Sequence, residues 1–251
     1  MRPEQLTIVY KLDTFAVELA LEGIQAVLTG HGLPLQGFRL YGEPVNLTEA
    51  LARLKRAKRK TFNIVGGGFE FDLSCVRNFQ LDFLAIKAAG DQCPAWDKWA
   101  AWFVGNPNFV MAWLADVEYE HWQNAHDPLQ YTAVGKPYEH LPKKSNELPP
   151  PLEQTIIDIS GNPGRRLLRA GYYEVVGAVM WLGEPFWQLT KANKVEVERS
   201  QWLQPSKPQP TVVRIEASAK CFTTAEGASG ELQRALRTLL FPNALSHRRR
   251  S

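Results

Sequence analysis

Hydrophobic and polar positions change rhythm several times along the chain, and each change predicts an element. Leu6–Lys11 is rich in β-branched and aromatic residues and reads as a strand. Thr14–Thr29 carries apolar residues at Val17, Ala20, Leu21, Ile24, Val27 and Leu28, the stripe of an amphipathic helix packed on one face. Gly30 stands where a C-cap glycine belongs. Asn46 and Glu49 have capping-box spacing for a second helix over Leu47–Arg59, with Leu47, Ala50, Leu51 and Leu54 inward. Period two then takes over. Thr61–Val65 leads into Gly66-Gly67-Gly68, after which Phe69, Phe71, Leu73 and Cys75 alternate with Glu70, Asp72 and Ser74. Beyond Arg77-Asn78 the alternation resumes, with Phe79, Leu81 and Phe83 against Gln80 and Asp82. Such a pattern on both sides of a polar turn is a hairpin with one buried face. Trp96–Val104 reads as a short helix, whereas Phe109–Tyr119 fits a strand or a helix equally.

Asn124–Gln154 loses this rhythm. It holds six prolines, among them Pro149-Pro150-Pro151, and reads as a long loop or linker. It divides a single domain, residues 1–251, into possible sub-lobes 1–123 and 155–251 joined by loop 124–154. The second lobe opens with a strand at Thr155–Ile159 and a turn at Gly161-Asn162-Pro163-Gly164. A strand within Tyr172–Leu182, helical patches at Glu184–Leu189 and Lys194–Leu203, and a strand at Thr211–Glu216 follow. The last helix, Glu231–Phe241, turns Leu232, Ala235, Leu236, Leu239 and Leu240 inward and stops at Pro242, leaving a tail, His247–Ser251, expected to fray. Helices and strands mixed without βαβ alternation predict an α+β fold, with a mixed or antiparallel sheet flanked by helices and two lobes joined by the Pro-rich segment.

The length, 251 residues, lets the chain bury a core without staples. Three widely spaced cysteines, Cys75, Cys93 and Cys221, argue against a disulfide framework or a CxxC site, and so for a reducing compartment. Met1–Leu12 lacks the pattern of a secretory signal, and no apolar run approaches the roughly 20 residues that span a bilayer. The expectation is a cytoplasmic protein with no membrane partner. A net charge of +3 is too mild to demand nucleic acid.

Candidate chemistry is sparse. The triple glycine precedes a strand and lacks the Lys-Ser/Thr or GxGxxG context of a phosphate loop, so it reads as a turn or bulge. Six of the eight residues Arg53–Lys60 are basic, without interleaved aromatics, which suits a solvated helix face. His121 and His126 stand five apart and diverge on one helix, so with Asp127 they make a weak metal set. A restriction-type nuclease centre needs an acid two residues before a lysine. Asp82 has Leu84 at that place. Ser74 and Cys221 lack a nucleophile's context. No catalytic constellation, cofactor or metal is called for, and the chain reads as a binding protein.

The second half carries a resemblance. Asp127–Tyr131, Leu148–Leu152, Asp158–Arg166, Gly177–Gly183, Pro185–Trp187 and Cys221–Gly227 run in order. These blocks resemble the immunity protein 52 family of bacterial polymorphic-toxin systems, most clearly from about residue 116 to 242. The resemblance implies an immunity protein that neutralises a cognate toxin. The expected target is a restriction-endonuclease-fold nuclease delivered by a type VI or similar secretion system, bound by protein–protein contact with no direct nucleic acid. The family transfers no interface residues. A nuclease presents a basic cleft, because it must hold phosphates. The acidic stripe Glu70, Asp72, Asp82 and the cluster Asp116, Glu118, Glu120 are therefore the partner-binding candidates. An adaptor that carries the toxin to its delivery apparatus is the first alternative. A metal-dependent hydrolase centred on His121, His126 and Asp127 is the second.

Overall fold

The period-two stretches assemble into a ten-stranded sheet, and the helical stretches cover it. The computed structural model describes residues 2–89 and 94–243. The chain begins with β1 (Glu4–Lys11), α1 (Val17–Gly30), β2 (Phe38–Leu40), β3 (Glu43–Val45) and α2 (Leu47–Arg56). It continues through β4 (Phe62–Gly66), β5 (Phe69–Val76), β6 (Leu81–Ala88), α3 (Trp96–Phe103), β7 (Phe109–Asp116) and α4 (Val117–Asn124). Next come α5 (Pro128–Thr132), β8 (Lys143–Ser145), β9 (Thr155–Ile157), β10 (Leu167–Arg169) and β11 (Tyr172–Glu174). The last elements are β12 (Val179–Gly183), α6 (Glu184–Thr190), α7 (Lys194–Arg199), β13 (Ser206–Gln209), β14 (Val212–Glu216) and α8 (Gly227–Leu240). The tail expected to fray lies outside the described residues.

The sheet order is β13-β14-β12-β7-β1-β6-β5-β4-β2-β3, and its pairings are antiparallel. Hairpins β8-β9 and β10-β11 stand apart from it. The fold is α+β, as the mixed pattern implied. Both halves of the chain feed the same sheet, with β1–β7 from before the Pro-rich segment and β12–β14 from after it. The helices divide between the faces. Leu6, Ile8 and Tyr10 of β1 join the core packed by α1–α3, whereas Val9 joins the core packed by α6–α8. On the first face Trp99 is buried with its ring 4.2 Å from that of Phe69.

Each edge of the sheet carries a proline, Pro44 in β3 and Pro208 in β13. Proline has no N–H to donate, so neither edge offers an unbroken ladder to an added strand.

Local chemistry explains the element ends. Asn46 accepts from the Glu49 amide at 2.8 Å, while the Glu49 side chain turns to Arg53 instead of closing the capping box. Replacing Asn46 with Ala should cost about 1 kcal/mol, lowering the melting temperature by about 2–4 °C in a thermal scan. Gly67 and Gly68 have φ of 62° and 84°, the two positive values of a type I′ hairpin turn, so the triple glycine joins β4 to β5. Phe109–Tyr119 is both things that its pattern allowed. It is a strand that becomes a helix at Asp116, whose carboxylate caps the Tyr119 amide at 2.7 Å. Helix α1 begins at Val17, not Thr14, because the preceding loop folds back and the Thr14 amide donates to Asp82.

Candidate interaction surface

Of the six acidic candidates, Glu70 and Asp72 lie as read, on the face of β5 turned away from α1–α3. Glu70 is opposite Lys87 in register and 3.9 Å from its ammonium. Asp72 accepts from the Ser74 hydroxyl. Asp82 does not belong to their stripe. It pairs with Cys75 and with Tyr10, which puts it on the helix-covered face, where it is buried. The cause is the β5–β6 turn. A 3-10 turn at Arg77–Phe79 and Gln80 at φ 55° bring Val76 opposite Leu81, so Leu84, Ile86 and Ala88 fill the first core. A reading one residue out of phase exchanges the two faces. Burial raises the Asp82 carboxyl above its ordinary value, against the pull of amides from residues 13–15.

The second cluster is also divided. Asp116 is buried at the cap of α4. Glu120 accepts from the Trp113 indole at 3.2 Å and lies 3.5 Å from Arg166, with its side chain mostly covered. Glu118 alone is exposed, 3.8 Å from Arg2. Asp82, Asp116 and Glu120 are thus tied into the protein's own structure, leaving Glu70, Asp72 and Glu118 accessible.

The Asn162–Arg166 turn proves to be the hub of a buried polar network. Gln123 of α4 accepts from the Gly164 amide at 3.0 Å, and Asn162 donates to the Gln123 carbonyl at 2.9 Å. From α8, Arg237 donates to the Pro163 and Arg165 carbonyls and to Glu174, the last at 2.9 Å. Glu174 is 1% exposed and also binds Arg169 through two bonds of 3.0 and 2.7 Å. Burial pulls the Arg237 guanidinium down to about 10, assisted by Arg165, so it stays charged at neutral pH. Tyr119 donates to Gln233 at 2.8 Å, and burial pushes its phenol up to about 12. Gln233 and Arg237 therefore occupy the buried face of α8, while Ala235, expected inward, is exposed.

The histidine set does not converge. His121 stands beside Trp122, His126 lends its carbonyl to Ile157, and Asp127 caps the Leu129 amide at the start of α5. Among the described residues no three His, Cys, Asp or Glu side chains gather to hold a metal ion. Cys75 and Cys221 are half-buried, and Cys93 lies outside the described residues.

Residues 124–159 form a braced arm. Tyr131, Ala125 and Ile157 make a small core of their own, flanked by Trp122, Tyr138, Leu141 and Ile159. At its far end the Asn146 side chain accepts from the Leu148 and Gln154 amides and donates to the Leu152 carbonyl, so one residue holds the triple-proline loop closed. On this fixed frame Leu129, Val134 and Leu152 are 71%, 64% and 61% exposed. These are the three most exposed large hydrophobic side chains among the described residues.

With this arrangement in view, the comparisons are brief. No family model matches the chain, so the resemblance to immunity protein 52 has no family match behind it. No curated protein matches it either. Among solved structures the chain is similar to Pseudomonas aeruginosa T6SS protein PA0821, with a TM-score of 0.53 at 12% identity, over 98% of this chain and 73% of that one. The likeness is one of fold. At that identity it transfers no residue and no role. No helix among the described residues is long and apolar enough to cross a membrane.

Proposed function

We propose that this chain is a type VI secretion immunity protein that binds and neutralises a cognate toxin, and that the arm of residues 124–159 is the main contact. The observation that carries this reading is the arm itself. Single exposed leucines are ordinary on a protein surface. Here two leucines and a valine, the most exposed large hydrophobic side chains among the described residues, stand on one segment with its own core and its own hydrogen-bonded loop. A rigid frame that holds apolar side chains in water is ready to bind, because little conformational freedom remains to be lost on association. Glu70, Asp72 and Glu118 are accessible acids that would favour a basic toxin surface. The fold shared with a protein named for the same secretion system is consistent with this reading, as are the sequence blocks that resemble immunity protein 52. The action is binding, not catalysis.

Co-expression with the toxin encoded beside it tests the proposal, scoring survival and co-purification together. Survival with a stable, inactive complex is expected. Survival without a complex would point to repair of the damage and end the binding reading. Likeness to a type VI secretion protein suits an adaptor for toxin delivery equally well, and a toxin still active in the complex would select that alternative. The paired substitution Leu129→Ser and Leu152→Ser should change stability by no more than about 0.5 kcal/mol, since both side chains are solvated. Toxin affinity should fall by about 30-fold or more, the scale of a lost hot spot. Unchanged affinity in a binding titration would remove the arm from the interface.

A further inference from the structure

We propose that the cavity between the first turn of α1 and the end of α2 binds a small phosphorylated ligand. The cavity encloses about 400 Å³, and Phe15, Ala16 and Val17 line it together with Lys58, Arg59 and Asp82. That volume lies within the roughly 300–1,000 Å³ of small-molecule sites. The acids of the lining are already engaged. Asp13 is held by Lys60 at 2.7 Å and Arg77 at 3.6 Å, and Glu18 by Lys55 at 3.3 Å. Asp82 accepts from the Thr14 amide at 3.3 Å. Lys58 and Arg59, by contrast, have no carboxylate partner among the described residues, and Arg59 lies over the Tyr41 ring at 5.1 Å.

The same cavity meets the positive end of α1, a helix of 14 residues. Its cap position is Ala16, whose side chain has no oxygen to offer, so the helix start has no side-chain cap among the described residues. Two unpaired cations beside uncapped amides form a place for a group with several oxygens and more than one negative charge. A phosphate fits that description better than a carboxylate, which has two oxygens and one charge. The apolar side of the lining, Phe15 to Val17, suits a ring or short aliphatic body attached to the phosphate.

Thermal unfolding of the isolated full chain tests this with inorganic phosphate, phenyl phosphate and phenylacetate, each against potassium chloride at equal ionic strength. Saturation to about a hundredfold over the dissociation constant should raise the melting temperature by about 5–10 °C. Phenyl phosphate should reach this at about one-tenth the concentration that inorganic phosphate needs, because the ring adds apolar contact. The double variant Lys58→Ala with Arg59→Ala should melt like the wild type in chloride and lose the shift. The proposal is overturned by no shift, by an equal shift in chloride, or by a shift retained in the variant. A shift with phenylacetate matching that with phenyl phosphate would also overturn it. The toxin takes no part in the measurement, so failure here leaves the immunity reading standing.

Discussion

Replacing Glu174 with Ala should cost about 3–5 kcal/mol, among the largest losses available to a single substitution in this protein. The carboxylate is almost fully buried and answers Arg237 and Arg169 directly, with Arg165 at 4.0 Å. Its removal leaves three guanidinium groups close together, with Arg237 too deep to be resolvated. Arg237 would keep its carbonyl partners from the Asn162–Arg166 turn, but those neutralise no charge. The joint variant Glu174→Leu with Arg237→Met tests the cause. If uncompensated charge is the main loss, exchanging this pair for apolar volume should recover much of the stability. Urea midpoints of the three proteins decide between the readings. A single variant within about 1 kcal/mol of the wild type would show that the cluster is solvated, contrary to the buried geometry.

Trp99→Ala should cost a similar amount, about 3–5 kcal/mol, for a different reason. The Trp99 ring lies between residues of several elements on the first face. It contacts Phe69 at 4.2 Å, His31 at 5.6 Å, Trp96 at 6.1 Å and Phe71 at 6.4 Å. Deleting it opens a void among the rings of Phe69, Phe71, His31 and Trp96, and Trp99→Phe, which refills part of the space, should be milder. Calorimetric or urea unfolding would measure both. A small loss for Trp99→Ala would mean that α3 can settle onto the sheet. The two sites lie in different cores, on opposite faces of the sheet. Their costs should therefore add, and the double variant Glu174→Ala with Trp99→Ala should approach or exceed the whole stability of an ordinary domain.

Where short-range chemistry decides structure, the sequence was readable. The glycine turn between β4 and β5, the Asn46 cap and the apolar stripe of α1 each depend on residues within a turn or two of one another. The errors begin where one residue of phase matters. Nothing in Arg77–Gln80 announces a 3-10 turn with a left-handed Gln80, and that turn moves Asp82 from an exposed stripe to a covered face. On α8 the apolar pattern holds for Leu232, Leu236, Leu239 and Leu240 and fails at Ala235, and it says nothing of the polar residues that share the buried face. Gln233 and Arg237, four apart on the same side, are the polar half of that face. Their partners explain why they were invisible: Tyr119 is 114 positions away from Gln233, and Glu174 is 63 away from Arg237. The acids Asp116 and Glu120 looked like a surface cluster because their spacing is local. Their bonds to a helix cap, an indole and Arg166 depend on packing that spacing does not reveal. The arm was legible as a break in rhythm, but its order depends on Asn146 and on Tyr131 meeting Ile157 across the Pro-rich segment.

The prolines at both margins of the sheet bear on how such a protein can change over generations. A partner that joins by extending a sheet reads backbone, which varies little with sequence, so its choice is hard to alter by single substitutions. With Pro44 at one margin and Pro208 at the other, that mode is discouraged at both ends. On the binding role proposed above, recognition falls instead to side chains on the faces and on the arm, where a substitution alters a contact without disturbing the strands beneath. Under that proposal, the protein can follow a changing toxin one surface residue at a time while its scaffold stays as it is.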